Sequence, residues 1–204
     1  MGRITQTSQL IEKMVGVSSL LDVGCRDGIL RRNINKEIDY FGADLFNCGP
    51  HVNYVGDIME INFDRKFDIV SAIDILEHLE EPTSAFEKLL ELSNRYLIIS
   101  LPNCYDLKSR YHFAINGTLG GKYNFSSDKI VDRHRWVMSA REVNEFYTSL
   151  AVKHNVKVSI YDVCYGSSGN NTPSAIIGRI ISKILDRKLT AESIVGVFIK
   201  HFYI

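Results

Sequence analysis

Short apolar runs alternate with amphipathic stretches along the first half of the chain. Residues 20–23 (LLDV), 40–45 (YFGADL), 67–73 (FDIVSAI) and 95–101 (RYLIISL) have strand length and are bounded by glycine, proline or polar residues, and 52–55 is a weaker run of the same kind. Between them the period changes to that of a helix. Residues 28–36 follow the first run, and 81–92 carry Phe86, Leu89, Leu90 and Leu92 as an apolar stripe. Ahead of the first strand, Ile4, Leu10, Ile11 and Met14 recur at helical spacing and predict a helix over 5–15, packed beside the turn that follows that strand. Strand alternating with helix over 20–101 implies a parallel sheet covered on both faces, with ligands gathered at the carboxyl ends of its strands.

The second half reads differently. Residues 103–133 place Gly117, Gly120 and Gly121 among Tyr105, Tyr111, His112, Phe113, Tyr123 and Phe125, which predicts a lid or substrate collar after a ligand-side strand. Ser139 and Glu142 form a capping-box pair before a helix bearing Val143, Phe146, Tyr147 and Leu150. Strands are predicted over 156–163 and 194–202. Between them lie a loop at 166–172 and an amphipathic helix at 173–185, whose Ile176, Ile177, Ile180, Ile181 and Ile184 are most simply core, a homodimer contact being the second reading. Neither an internal repeat nor a low-complexity tract is present.

A length of 204 residues suits one domain, 1–204, able to bury a core without staples. Lysine plus arginine equals aspartate plus glutamate at 24 each, so no broad basic field exists to hold a nucleic-acid backbone. Cys25, Cys48, Cys104 and Cys164 are widely spaced with no CxxC pair, which fits reduced thiols and a cytoplasmic setting. No leader pattern or membrane span is expected. The apolar segments 175–185 and 193–204 are interrupted by Arg179, Lys183 and Lys200, and the sequence does not call for a membrane contact by the first.

Candidate chemistry starts at residues 20–28, LLDVGCRDG. Without a Cβ, Gly24 and Gly28 let the chain turn sharply and let a ligand lie against the backbone. The dinucleotide fingerprint needs glycines at relative positions one, three and six; here they stand at one and five, with Arg26 between them, which counts against NAD. The string resembles motif I of the class I S-adenosylmethionine (SAM) methyltransferases, an acid followed by GxGxG, with Arg26 as the departure. That resemblance implies an α/β, doubly wound, Rossmann-like sheet of seven mainly parallel strands, the last one antiparallel and inserted between the fifth and sixth. It implies SAM as cofactor, with Asp22, Gly24, Cys25, Arg26 and Gly28 at the turn. Asp44, twenty positions after Gly24, would accept from the ribose hydroxyls, with Leu45 beside it. Asp57 would accept from the adenine amine, Ile58 would cover the ring, and Asp74 would meet the methionine end.

Residues 74–79, DILEHL, resemble the segment after the fourth strand in many of these enzymes, which faces the methyl acceptor. A helical turn starting at Asp74 would bring Asp74, Glu77 and His78 onto one face, and His134 could return over the same pocket from the end of the lid. Three readings are open. In the first, Glu77 caps or pairs locally while His78 satisfies a backbone carbonyl; in the second, His78 or His134 is a general base; in the third, Asp74, Glu77, His78 and His134 hold a divalent metal ion. The last arrangement resembles the Glu-x-x-Glu-His plus distant His of small-RNA 2′-O-methyltransferases and some quinone O-methyltransferases, with Asp74 in place of the first Glu. The expected function is SAM-dependent O-methylation of a small molecule, a sugar or glycan end, or a quinone-like acceptor. The alternatives are a metal-dependent RNA 2′-O-methyltransferase and a non-catalytic SAM sensor or partner subunit.

Overall fold

A computed structural model of the chain describes residues 2–123, 127, 132–166 and 172–200. Seven strands form one sheet in the order β3-β2-β1-β4-β5-β7-β6: β1 (Ser19–Val23), β2 (Asp39–Asp44), β3 (Val52–Val55), β4 (Phe67–Ile73), β5 (Ser93–Pro102), β6 (Lys157–Cys164) and β7 (Ala191–Ile199). β7 runs antiparallel to both β5 and β6, and the remaining pairs are parallel. This is the doubly wound topology expected from the motif. The predicted last strand, 194–202, begins three residues earlier at Ala191, and residues 201–204 lie outside those described.

Period-two alternation divides the central strands between two cores. Leu21, Val23, Val70, Ala72, Leu97 and Ile99 face α3 (Pro82–Leu92) and α5 (Ala140–Lys153), meeting Phe86, Leu89, Val143 and Tyr147. Leu20, Ile69, Ile98, Val195 and Val197 face the other way, onto Leu10 and Ile11 of α1 (Gly2–Ile11) and Leu30 of α2 (Ile29–Arg32). Ser19–Val23 is buried along its whole length, because both sides of a central parallel strand are covered. The capping box opens α5 as the sequence implies, with Ser139 Oγ accepting from the Glu142 N–H and the Glu142 carboxylate from the Ser139 N–H.

Three elements depart from the sequence reading. α2 is four residues long rather than spanning 28–36, since Asn33 and Asn35 turn their side chains to nearby backbone, Asn33 donating to the Ile29 carbonyl and Asn35 accepting from the Glu37 N–H. The collar contains a helix, α4 (Leu107–Asn116), capped by Asp106 and carrying no buried residue; collar residues 124–126 and 128–131 lie outside those described. α6 (Pro173–Ile184) does not bury its isoleucines: Ile176, Ile177, Ile180 and Ile184 are exposed. It meets the fold through Gly178, where a Cβ would stand 3.0 Å from Cβ of Tyr165. A four-residue helix, α7 (Arg187–Thr190), then leads into β7. The predicted loop 166–172 is described only at its two ends.

Candidate functional site

A cleft of about 800 Å³ opens at the carboxyl ends of β1, β2 and β4. Its wall is built from Gly24, Arg26 and Asp27 after β1, Asp44, Leu45, Phe46 and Cys48 around the end of β2, and Gly56, Asp57 and Ile58 after β3. Asp74, Ile75, His78 and Leu79 follow β4, and Asp132 closes the rim. Leu45 and Phe46 are more than half exposed, an apolar surface presented to the cleft rather than to the core.

The glycine turn is tight. Gly24 has φ 73°, its N–H donates to the Ala43 carbonyl at 2.8 Å, and a Cβ there would lie 2.0 Å from Cδ1 of Ile75. Arg26, the residue in the glycine slot, also adopts positive φ, at 46°. Asp44 fixes this turn by accepting the Arg26 N–H at 2.9 Å and the Phe46 N–H at 3.1 Å, one on each oxygen. A carboxylate has about four acceptor positions, so lone pairs remain for two hydroxyls. Asp57 lines the cleft while accepting the Met59 N–H, and Ile58, buried in the core, shows an edge to it.

Three residues expected at the cofactor are not on the cleft wall. Asp22 is 4% exposed and sits beneath the turn, accepting from Tyr40 Oη at 2.7 Å and Ser71 Oγ at 2.9 Å; burial pushes its carboxyl up to about 6. Cys25 is buried, which pushes its thiol up to about 12. Gly28, at φ 69°, lies under the ring of His51, 3.0 Å from where its Cβ would be, and His51 Nε2 donates to the Arg26 carbonyl at 2.6 Å. These three shape the turn from behind.

Asp74 does not begin a helical turn. Its φ is 55°, and it turns away to form an ion pair with Arg3 of α1 while accepting from Ser100 Oγ at 3.2 Å, so it is not grouped with the other ligand-type residues. The turn proper is a single 3-10 turn, Leu76–His78. There Glu77 is fully buried, and neither carboxyl oxygen has a hydrogen-bond partner among the described residues. Nε2 of His78 lies 4.0 Å and Nε2 of His134 3.9 Å from Glu77 Oε1, and the two imidazoles meet edge to face at 4.6 Å. Burial and the charge of Asp74 push the Glu77 carboxyl up to about 8. Burial pushes both imidazoles down, His134 to about 4, so they are neutral near pH 7.

Hydrogen bonds select the tautomer of His78. Its Nδ1–H donates to the Arg133 carbonyl at 3.0 Å, which leaves the Nε2 lone pair toward Glu77 and Asp132. The carbonyl contact of the local reading is therefore present, whereas no local side-chain partner for Glu77 occurs among the described residues. His134 Nδ1 pairs with Tyr123 Oη at 2.9 Å, and that hydroxyl also meets Cys104 Sγ at 3.0 Å. The return of His134 is imposed by backbone: the Glu77 carbonyl accepts from the Arg135 N–H at 2.9 Å, and the Trp136 indole N–H donates to the Leu79 carbonyl at 2.8 Å. Glu77, His78 and His134 offer ligand atoms within 4.8 Å of one another.

Sequence reasoning missed Arg3, whose pairing with Asp74 joins residues at opposite ends of the α/β unit, and Asp132, which binds Lys122 at 2.8 Å, Arg26 at 3.2 Å and His78 at 3.5 Å. Neither has a local pattern. Phe46 was legible in principle, as an aromatic residue directly after the strand-end acid.

Residues 4–149 match the model of the family described as "Methyltransferase domain". The chain is 33% identical over 92 residues to the malonyl-[acyl-carrier protein] O-methyltransferase of Calditerrivibrio nitroreducens, a match covering 41% of this chain and 38% of that one, so it spans well under half of that relative. In structure it resembles the small RNA methyltransferase HEN1 at TM-score 0.67 and 19% identity, over 98% of this chain and 25% of that one. It also resembles the plantazolicin methyltransferase BpumL, solved with a triazolic desmethylPZN analog and SAH, at TM-score 0.60 and 18% identity, over 98% and 83% of the two chains. With the family model covering most of its length and its strands in the order of that fold, the chain belongs to the methyltransferase-domain family of class I SAM-dependent methyltransferases.

Proposed function

We propose that the chain binds SAM in the cleft between Gly24 and Asp74 and transfers its methyl group to an oxygen of a small molecule, a sugar or glycan end, or a quinone-like acceptor. The observation that carries the oxygen reading is the buried Glu77 carboxyl group, without a hydrogen-bond partner among the described residues and flanked by two neutral imidazoles beside the cleft. An amine needs only to shed a proton after transfer, whereas a hydroxyl gains nucleophilicity from a group that takes its proton as the bond forms. An O-methyltransferase among the relatives points the same way.

In this reading Asp44 holds the ribose and Leu45, Phe46 and Ile58 line the adenine. The sulfonium carbon is already activated, so in-line placement of the acceptor contributes most of the acceleration. The oxygen–methyl bond forms as the sulfur–methyl bond breaks, SAH leaves, and the hydroxyl proton passes to His78 Nε2, whose lone pair is set by the Arg133 carbonyl. Above about pH 8, where Glu77 is ionised, its carboxylate stabilises the imidazolium so formed.

A second reading is favoured by the convergence of three ligand-type atoms. One carboxylate and two Nε2 atoms suit a divalent ion, and Glu77, His78 and His134 would hold it; bound there, the ion would polarise an acceptor hydroxyl such as an RNA 2′-hydroxyl. The balanced charge of the chain opposes a large RNA footprint. Incubation with methyl-labelled SAM and fractionated extract, with and without a chelator, tests both. Label in a small-molecule or glycan fraction, insensitive to chelator, supports the first reading; label in RNA lost on chelation supports the second. Label only on nitrogen would contradict both, and SAM binding without transfer would leave a sensor.

A further inference from the structure

We propose that α6 is a docking surface for an anionic lipid bilayer. At 3.6 residues per turn, positions 176, 177, 180 and 184 fall within an arc of about 100°. All four are isoleucines, exposed at 43%, 56%, 53% and 76%. The buried side of the helix is marked by Gly178, packed on Tyr165, so the isoleucines point away from the fold. Arg179 and Lys183 border one edge of the apolar arc, and the exposed Arg187 and Lys188 follow in α7. Over 173–190 the only acid is Asp186, whose carboxylate caps α7 by accepting the Lys188 N–H at 2.8 Å. Four cations against one acid, in a chain whose charges cancel only as a whole, concentrate positive charge beside exposed isoleucine. An apolar arc edged by lysine and arginine is the composition of a helix lying in the headgroup region of an anionic membrane.

A second copy of the chain is a poorer occupant, because α6 facing α6 would set these cations against their own copies. Nor can the helix cross a bilayer, since twelve residues span about 18 Å against a hydrocarbon core of about 30 Å. α4 adds a neighbouring apolar surface. Its first turn hangs from the same tyrosine, the Lys108 N–H donating to Tyr165 Oη at 3.0 Å, and it exposes Tyr111, Phe113 and Ile115 beside Arg110, while the Lys108 ammonium pairs with Glu192 at 3.0 Å.

Vesicle flotation of the full chain tests this without reference to methyl transfer. The expected result is co-flotation with phosphatidylcholine vesicles containing phosphatidylglycerol, weakening as salt rises, and none with phosphatidylcholine alone. Ile177→Glu with Ile180→Glu should lower partition about tenfold or more, and Lys183→Gln and Lys188→Gln about fivefold each, with the melting temperature unchanged because these side chains are exposed. Absence of flotation with anionic vesicles, or wild-type partition by the isoleucine variant, would overturn the proposal. A concentration-dependent dimer, lost in the isoleucine variant and accompanied by no vesicle binding, would give the face to a second copy.

Discussion

Nε2 of His134 stands 3.9 Å from Oε1 of Glu77, whose carboxyl group reaches no hydrogen-bond donor among the described residues. Burying an ionised carboxylate without partners costs several kcal/mol, and such a group responds by keeping its proton, which is the direction of the Glu77 shift. The backbone bond from Arg135 to the Glu77 carbonyl holds the second imidazole there at the expense of that burial. Packing alone would be served better by an apolar residue at position 77.

Asp44 is expected to hold the ribose. Asp44→Ala should weaken SAM binding by ~1–3 kcal/mol through loss of charge-assisted hydrogen bonds, with the fold retained because only the Arg26 and Phe46 amides lose a partner, and both are exposed. Isothermal titration checks it. An unchanged dissociation constant in a folded variant would place the ribose elsewhere.

Gly24 combines positive φ with an Ile75 methyl where its Cβ would go. Gly24→Ala should destabilise the chain by roughly 1–2 kcal/mol from backbone strain, and by more if Ile75 cannot swing away. Adding Ile75→Ala removes the clash but not the strain. Thermal melts of the single and double variants should therefore show partial rescue; full rescue would mean that φ carries no cost here.

Much of this architecture was legible in the chain. LLDV, FDIVSAI and RYLIISL mark strands covered on both faces, and Ser139 with Glu142 marks a helix start, because burial and capping are dictated by local residues. The cleft wall was legible for the same reason: Gly24 and Asp44 sit at fixed offsets from strand ends and line it. The turn after β4 was less so. Asp74 looked like a ligand from its spacing to Glu77 and His78, but a left-handed backbone and the distant Arg3 decide its direction. The isoleucines of α6 were read as core because periodicity reveals an apolar face without revealing what covers it.

Asp22 makes stability pH-dependent. Burial raises its folded-state value to about 6 from 3.8, so the folded chain binds the proton more tightly. The associated stability is fully present below 3.8 and is lost as pH rises through 6, about 3 kcal/mol in all. Asp22→Asn retains an acceptor for Tyr40 and can donate to Ser71, so it should flatten this dependence. Urea unfolding of both proteins at pH 4.5 and 7.5 reads the difference: the variant should gain stability relative to wild type at the higher pH, and parallel profiles would show that Asp22 is ionised at no cost.

The most direct measurement is the rate of methyl transfer from labelled SAM by Glu77→Gln, His78→Ala and His134→Ala, alongside their SAM dissociation constants. All three should bind SAM within about twofold of wild type, since the ribose and adenine contacts lie elsewhere in the cleft. Assayed above pH 8, where Glu77 is ionised, transfer by Glu77→Gln and His78→Ala should fall about a hundredfold or more, the scale of a lost proton-transfer group. A chelator effect shared by wild type and lost with His134→Ala would assign the cluster to a metal. Wild-type transfer by all three folded variants would contradict a role for Glu77 and its imidazoles, and leave orientation alone to account for the reaction.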